Sequence, residues 1–242
     1  MILSRLVRLF YCLVFVRLWL FKRLIISIVK KMNMSTKSRR RFLIAAALLP
    51  VAAIIPIKAF AATRKIHEIE GDVFINQAKI NSESLIKNGD EIVVSKDGKL
   101  VFSLGEDAFL VRGSTTLQVY SDHDSLLVTA LRLVTGAMLG VFGKRKTTTH
   151  IYTATATIGV RGTAVYAAVT KDKLYTCTCY GHTDLIVGLE REDVISKHHN
   201  AHVVTINVSG NTQMKAFEVI DHNDDELRML EALVGKKPSF DS

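Results

Sequence analysis

Residues 88–104 read Asn88-Gly89-Asp90-Glu91-Ile92-Val93-Val94-Ser95-Lys96-Asp97-Gly98-Lys99-Leu100-Val101-Phe102-Ser103-Leu104, two short apolar runs, each led in by a turn dipeptide. Gly89 after Asn88 and Gly98 after Asp97 supply the positive-φ positions that tight turns between strands require. Working outward, the same rhythm predicts strands at 73–75, 91–94, 100–104, 108–111, 116–120, 126–134, 137–142, 151–155, 164–169, 174–180 and 185–187. No proline interrupts residues 71–187. Strands of roughly 4 to 8 residues, spaced about ten apart, imply an all-β domain, either a sandwich, a barrel or a solenoid-like coil. Alternation within 100–104 is only partial, so the local pattern leaves the buried face open.

The period changes near the end of the chain. Asn223-Asp224-Asp225-Glu226 has the spacing of a capping box, in which the Asn223 side chain accepts from the Glu226 amide and Glu226 reaches back. Leu227, Leu230, Leu233 and Val234 then share one face, and Gly235, Lys236, Lys237 and Pro238 form a stop signal. A helix over 224–234, docked on the sheet by its leucines, is expected within a C-terminal extension of residues 189–242.

Residues 38–61, SRRRFLIAAALLPVAAIIPIKAFA, have a different character. Ser38, Arg39, Arg40, Phe42 and Leu43 fit the twin-arginine pattern S-R-R-x-F-L, ahead of 16 apolar residues from Phe42 to Ile57 and the small-residue site Ala59-Phe60-Ala61. An apolar run of that length, broken by Pro50 and Pro56, is short for a membrane span of about 20 residues. Cleavage after Ala61 and release into the periplasm are therefore expected; an inner-membrane anchor facing the periplasm is the alternative. Residues 1–37 form a basic hydrophobic leader. Either translation starts at Met32 or Met34 and leaves 1–31 untranslated, or those residues make a basic interfacial helix that attaches the protein to the inner membrane.

The formal charge of +9 belongs to that address. Residues 1–61 hold 12 of the 32 Lys and Arg and none of the 23 Asp and Glu, so the remainder carries 20 minus 23, a net of −3. Such a chain gives no electrostatic reason for a nucleic-acid partner.

Few constellations carry chemistry. Gly159-Val160-Arg161-Gly162-Thr163 lies between strand-like residues, unlike a phosphate-binding loop that opens a helix. It reads as a bulge or corner across which Arg161 makes a charge-assisted bond, with an anion or partner site as the alternative. Lys144-Arg145-Lys146 reads as a solvated hairpin tip. Cys177 and Cys179 are the two cysteines beyond the leader. On a strand they share a face with parallel Cβ vectors and α-carbons roughly 6.6 to 7 Å apart, which strains a bridge between them. Three readings stay open: buried small apolar residues, a strained redox pair, or soft ligands for zinc or copper. His198, His199 and His202 would complete the metal shell, with His182 near the cysteines in sequence. For the histidines alone, a solvated loop is the plainer reading. Twin-arginine export moves folded proteins, so a site assembled in the cytoplasm would survive it. No hydrolase or zinc-protease motif is present, and Asp221, Asp224 and Asp225 read as helix-capping acids, so no enzymatic activity is expected.

The order of motifs resembles the FecR family, the periplasmic domain of iron-dicitrate sensors and related exported proteins. The residues that carry the resemblance are Gly71-Asp72-Val73, Lys87-Asn88-Gly89-Asp90 and Thr135-Gly136-Ala137-Met138-Leu139. The most specific run is 153–163, TATATIGVRGT, which is similar to the family pattern T-x-x-A-x-x-G-V-R-G-T. The likeness spans residues 68–188. It extends to a subgroup with Tyr175-Thr176-Cys177-Thr178-Cys179-Tyr180-Gly181, a His-His pair and a terminal Gly-Lys/Arg-x-Pro-x-Phe, here Gly235 to Phe240. The resemblance implies a FecR-like β domain of a Gram-negative envelope that binds a protein or glycan partner. Sensor members carry a sigma-regulating domain ahead of a membrane span, for which residues 1–37 are too few and too apolar. A sigma-factor regulator is therefore the further alternative.

Overall fold

The computed structural model describes residues 64–123, 125–206 and 212–241. The leader over 1–37 and the export signal over 38–61, with Ser38, Arg39, Arg40, Phe42, Leu43, Ala59 and Ala61, lie outside the described residues. Fifteen strands occur among the described residues: β1 (Arg64–Glu70), β2 (Val73–Ile75), β3 (Ala78–Lys79), β4 (Glu91–Val94), β5 (Lys99–Leu104), β6 (Asp107–Val111), β7 (Thr115–Ser121), β8 (Val128–Val141), β9 (Thr149–Tyr152), β10 (Thr157–Val160), β11 (Ala164–Val169), β12 (Lys173–Val187), β13 (Glu190–Ser196), β14 (Asn200–Ile206) and β15 (Thr212–Phe217). One helix, α1 (Asp224–Leu233), and a 3-10 turn at Ser239–Asp241 follow.

The strands form two sheets that share β8 and β12. The first runs β1-β5-β6-β8-β11-β12-β14-β15 and the second β3-β2-β4-β7-β8-β9-β10-β12-β13. Residues 128–135 of β8 pair with β7 in the second sheet, whereas 136–141 pair with β11 in the first. Strand β12 does the reverse: its first half pairs with β11 and β14, and 181–187 pair with β13. The pairs β8-β9, β9-β10, β10-β12, β12-β11 and β11-β8 therefore close a five-stranded barrel. The β13 and β14 strands of the C-terminal extension continue both sheets from β12.

Each shared strand turns its corner at a glycine, at Gly136 with φ 84° and Gly181 with φ 90°. A Cβ on Gly136 would lie 2.2 Å from Thr115 Oγ1, and one on Gly181 would lie 2.6 Å from Thr163 Oγ1. Only glycine combines that backbone with so close an approach. The signature run supplies a third crossing: β10 ends in the second sheet, 161–163 turn, and β11 begins in the first. Arg161 spans this corner, its Nη2 donating to Asp184 Oδ2 at 2.8 Å.

The centre of the first sheet is buried on both faces, at β5 and β6 along almost their whole length, which explains the weak alternation of 100–104. Leu100, Phe102 and Leu104 enter the core between the sheets, where the Phe109 ring meets Phe102 tilted at 5.0 Å and Phe142 edge-on at 5.4 Å. Val101, Leu110, Leu139, Tyr166, Tyr175, Cys177 and Cys179 point outward into a second cluster that Leu227, Leu230 and Val234 of the C-terminal segment cover. Helix α1 starts on the expected capping box: Asn223 accepts from the Glu226 amide at 3.0 Å and donates its own amide to Glu226 at 3.2 Å. Arg112 donates to both oxygens of Glu226 at 2.9 Å, and the Tyr180 hydroxyl donates to buried Glu231, tying the helix to β6 and β12. None of the helices among the described residues is long and apolar enough to cross a membrane.

Arg145 corrects the reading of a solvated tip. Its side chain is 4% exposed and paired with the fully buried Asp107, and it also donates to Val128 O and Thr149 Oγ1. Asp107 in turn accepts from the amides of Val128 and Gly143. An ion pair so enclosed is paired by necessity, because a lone buried charge costs several kcal/mol. Nothing in a basic triplet read locally distinguishes the one residue that finds a buried acid.

Gly136→Ala should lower unfolding stability by about 3 kcal/mol, combining left-handed strain with overpacking against Thr115. Urea unfolding checks this, and an unchanged midpoint would contradict the corner assignment.

Candidate metal centre

The outward face of β12 and the start of α1 enclose two cysteines and two histidines. Period-two alternation puts Cys177 and Cys179 on the same side, both fully buried and unbridged. His199 reaches them from the turn between β13 and β14, where its left-handed φ of 51° folds the chain back and its amide donates to Cys179 O at 2.7 Å. His222 comes from the residue before the Asn223 cap, with its ring stacked on Tyr166 at 4.6 Å and 9°. The loop before it is pinned to Tyr175, whose hydroxyl accepts from the Ile220 amide at 3.0 Å and donates to Glu218 O at 3.2 Å.

One ligand atom from each of Cys177, Cys179, His199 and His222 lies within 4.8 Å of all the others. Cys177 Sγ and His199 Nδ1 are 3.6 Å apart. Zinc bonds of about 2.3 Å to sulfur and about 2.05 Å to nitrogen, at the tetrahedral angle, put those two atoms about 3.6 Å from each other. The outer nitrogens are held as metal-ligating imidazoles require. His199 Nε2 is 2.9 Å from Asp224 Oδ1, leaving Nδ1 toward the cysteines. His222 Nδ1 donates to Ile220 O at 2.8 Å, and its Nε2 is buried close enough to Cys177 to favour the thiolate but without a hydrogen bond of proper geometry. A buried, poorly paired imidazole nitrogen beside two thiols has a full partner if a soft or borderline cation sits among them, and zinc or copper(I) fits this donor set.

The electrostatics point the same way. A hydrogen bond from the Cys179 thiol, opposed by burial and helped by His199 and His222, brings the Cys177 pKa down to about 4. Burial pushes Cys179 well up, and the Cys177 thiolate raises His199. Burial opposes ionisation of Asp224, but hydrogen bonds from His198 and His199 hold its pKa below the usual carboxylate value. Thiolate, imidazole and carboxylate in series also describe a cysteine nucleophile with its base and orienting acid. Cys177 is fully buried, however, whereas a nucleophile must meet its substrate. A second thiol and a second imidazole aimed at the same point are surplus to a triad and are what a four-ligand metal needs.

Of the residues singled out in sequence, Cys177, Cys179 and His199 meet here. His198 stands just outside, with Nε2 at 2.9 and 3.1 Å from the Asp224 oxygens. His202 does not belong to the shell. It neighbours Ala201, which pairs with Cys177, so alternation turns it to the opposite face, where it lies 3.6 Å from Glu192. His199 is no solvated loop residue, its side chain being 12% exposed. Asp224 does more than complement the helix dipole, since it accepts from both neighbouring histidines. His222 escaped notice because its side of the helix start is a tertiary outcome; the capping box fixed its place along the chain. His182 lies past the Gly181 corner, 3.7 Å from Asp184 and 3.5 Å from Asp193. Within the run 159–163, Gly159 and Val160 belong to β10, while Arg161, Gly162 and Thr163 make the corner.

No protein-family profile matches the chain. No curated protein matches it either. Two crystal structures of a protein designated an anti-sigma factor, from Parabacteroides distasonis ATCC 8503, are similar at TM-scores of 0.45 and 0.44, with 12 and 13% identity. Each alignment covers 53% of this chain and 60% of that one. Likeness of this degree concerns the course of the backbone alone.

Metal-free protein should show one thiolate at neutral pH in its ultraviolet spectrum, lost as the pH falls through about 4. Because the folded Cys177 pKa lies below the unfolded value, its contribution to stability is full above the unfolded pKa and fades as the pH drops toward the folded one. A spectrum without thiolate at neutral pH would contradict the arrangement.

Proposed function

We propose that this chain is a non-enzymatic, exported FecR-like β domain that binds one zinc or copper(I) ion through Cys177, Cys179, His199 and His222. The observation that carries the reading is the convergence of four soft or borderline donors within 4.8 Å of one another, with Cys177 Sγ and His199 Nδ1 at the 3.6 Å of a tetrahedral zinc site. Both imidazoles have their second nitrogen engaged, one by Asp224 and one by the Ile220 carbonyl, as metal-ligating histidines usually do. The ligands come from β12, the turn between β13 and β14 and the residue before α1, so the ion would join the C-terminal helix to the sheet. That is the arrangement of a structural metal: four protein ligands, closed, with no position left for substrate. Placement in the periplasm and the FecR kinship rest on the twin-arginine pattern and on the motif order of residues 68–188.

Protein purified without chelator should carry about one equivalent of zinc or copper by elemental analysis, and its removal should lower Tm by about 5 °C or more. Cys177→Ser/Cys179→Ser and His222→Asn should each lose the metal while keeping a β-rich far-ultraviolet spectrum. Metal-free wild-type protein that takes up no ion, or variants that keep full metal content, would contradict the reading.

A further inference from the structure

A closed site poses the problem of how an ion reaches it. Both cysteines are fully buried, and Tyr166 stacks over His222 on the side of the groove that Arg112 lines, which closes that approach. The other flank opens differently. A groove of about 720 Å³ is lined by His198, Asp224, Arg228, Phe240 and Asp241, among others. Arg228 is turned onto Asp241 and Asp225, at 2.7 and 3.0 Å, so His198 and Asp224 are the ligand-bearing end of the groove, with Lys197 beside them.

At that end a second set of ligand atoms is already assembled. His198, His199 and Asp224 each offer an atom within 4.8 Å of the other two. The His198 side chain is half exposed, at 50%, and its Nε2 faces the same Asp224 carboxylate that His199 Nε2 meets at 2.9 Å. His199 belongs to both sets, with Nε2 on Asp224, which lines the groove, and Nδ1 toward Cys177. Its side chain, 12% exposed, stands between Asp224 and Cys177 on a short turn between two strands.

We propose that His198 and Asp224 form an outer receiving site for a divalent zinc ion, which His199 then passes to the four inner ligands. This rests on the metal reading above. Imidazole and carboxylate suit hydrated Zn²⁺, whereas copper(I) is selected by thiolate and thioether, so the outer pair favours zinc. The ion enters between His198 Nε2 and Asp224 while still open to solvent, exchanging water for both, and the proton that Nε2 had donated to the carboxylate moves through solvent to Nδ1. When the His199 ring swings, the inner thiolate displaces the outer ligands, and any proton on the thiols leaves to water. Holding the ion beside its destination makes the second step intramolecular, which raises the rate without adding a bond to the final complex.

A residue that acts only on the route changes loading and release by the same factor and leaves Kd alone. Metal-free wild-type protein mixed with Zn²⁺, and followed by sulfur-to-metal absorbance in stopped flow, gives the loading rate; a chromophoric chelator gives release and Kd. His198→Ala should slow both rates about tenfold or more with Kd unchanged, because the local ion concentration is lost. His198→Asp, which keeps a ligand oxygen, should recover most of the rate. Unchanged rates in His198→Ala would overturn the receiving site while leaving the inner centre intact. A weakened Kd at unchanged loading rate would also overturn it, since His198 would then merely steady Asp224. Failure of the wild-type protein to take up zinc would overturn both this proposal and the inner site.

Discussion

Strands β8 and β12 each have to serve two sheets, and the bends at Gly136 and Gly181 that let them do so set the rest of the molecule. Because one strand changes partners half-way, the sheets cannot separate, and β9, β10 and β11 close the barrel between them. The bend in β12 also divides its chemistry. Before Gly181 the outward side chains Tyr175, Cys177 and Cys179 face the helix; after it, His182 and Asp184 lie among the charges of β13. A two-layer fold would ordinarily leave one face of the first sheet to water. Here the face is apolar, so the C-terminal segment must cover it.

That cover is thin. Leu227 and Leu230 are fully buried beneath a helix of 10 residues, and burial of two leucines contributes about 3 to 6 kcal/mol before the entropy of ordering the segment is counted. Polar ties add to it through Arg112 with Glu226 and Tyr180 with Glu231. The four donors lie where the segment enters the helix, so an ion bound there restrains the chain at the point where its path turns onto the sheet. Zinc commonly plays this role in small domains whose own cores are insufficient. In this chain the barrel supplies a large core, and the ion would act on the cover.

Much of this was legible in the sequence, and the parts that were not have physical causes. Turn dipeptides and β-branched runs placed Val73–Ile75, Glu91–Val94 and Ala164–Val169 at their observed bounds. The capping box located α1. Expected strands at 126–134 and 137–142 are one strand bent at Gly136, and those at 174–180 and 185–187 are one strand bent at Gly181, because a glycine inside a strand reads as a break when it is a corner. Strand β1, with Arg64, Lys65, Glu68 and Glu70, and strand β13, which opens on the four charges of Glu190 to Asp193, gave no apolar run to see. At the centre, the i, i+2 cysteines and the His-His pair announced themselves. His202 was misassigned because alternation in β14 depends on register with β12, and His222 was missed because the helix direction decides where it points.

The central claim is that Cys177, Cys179, His199 and His222 ligate one ion, and X-ray absorption at the metal edge of the purified protein tests it most directly. The account predicts a four-coordinate shell of two sulfurs at about 2.3 Å and two imidazole nitrogens at about 2.0 to 2.1 Å. A shell of oxygen and nitrogen alone, with both thiols free or joined in a disulfide, would contradict it.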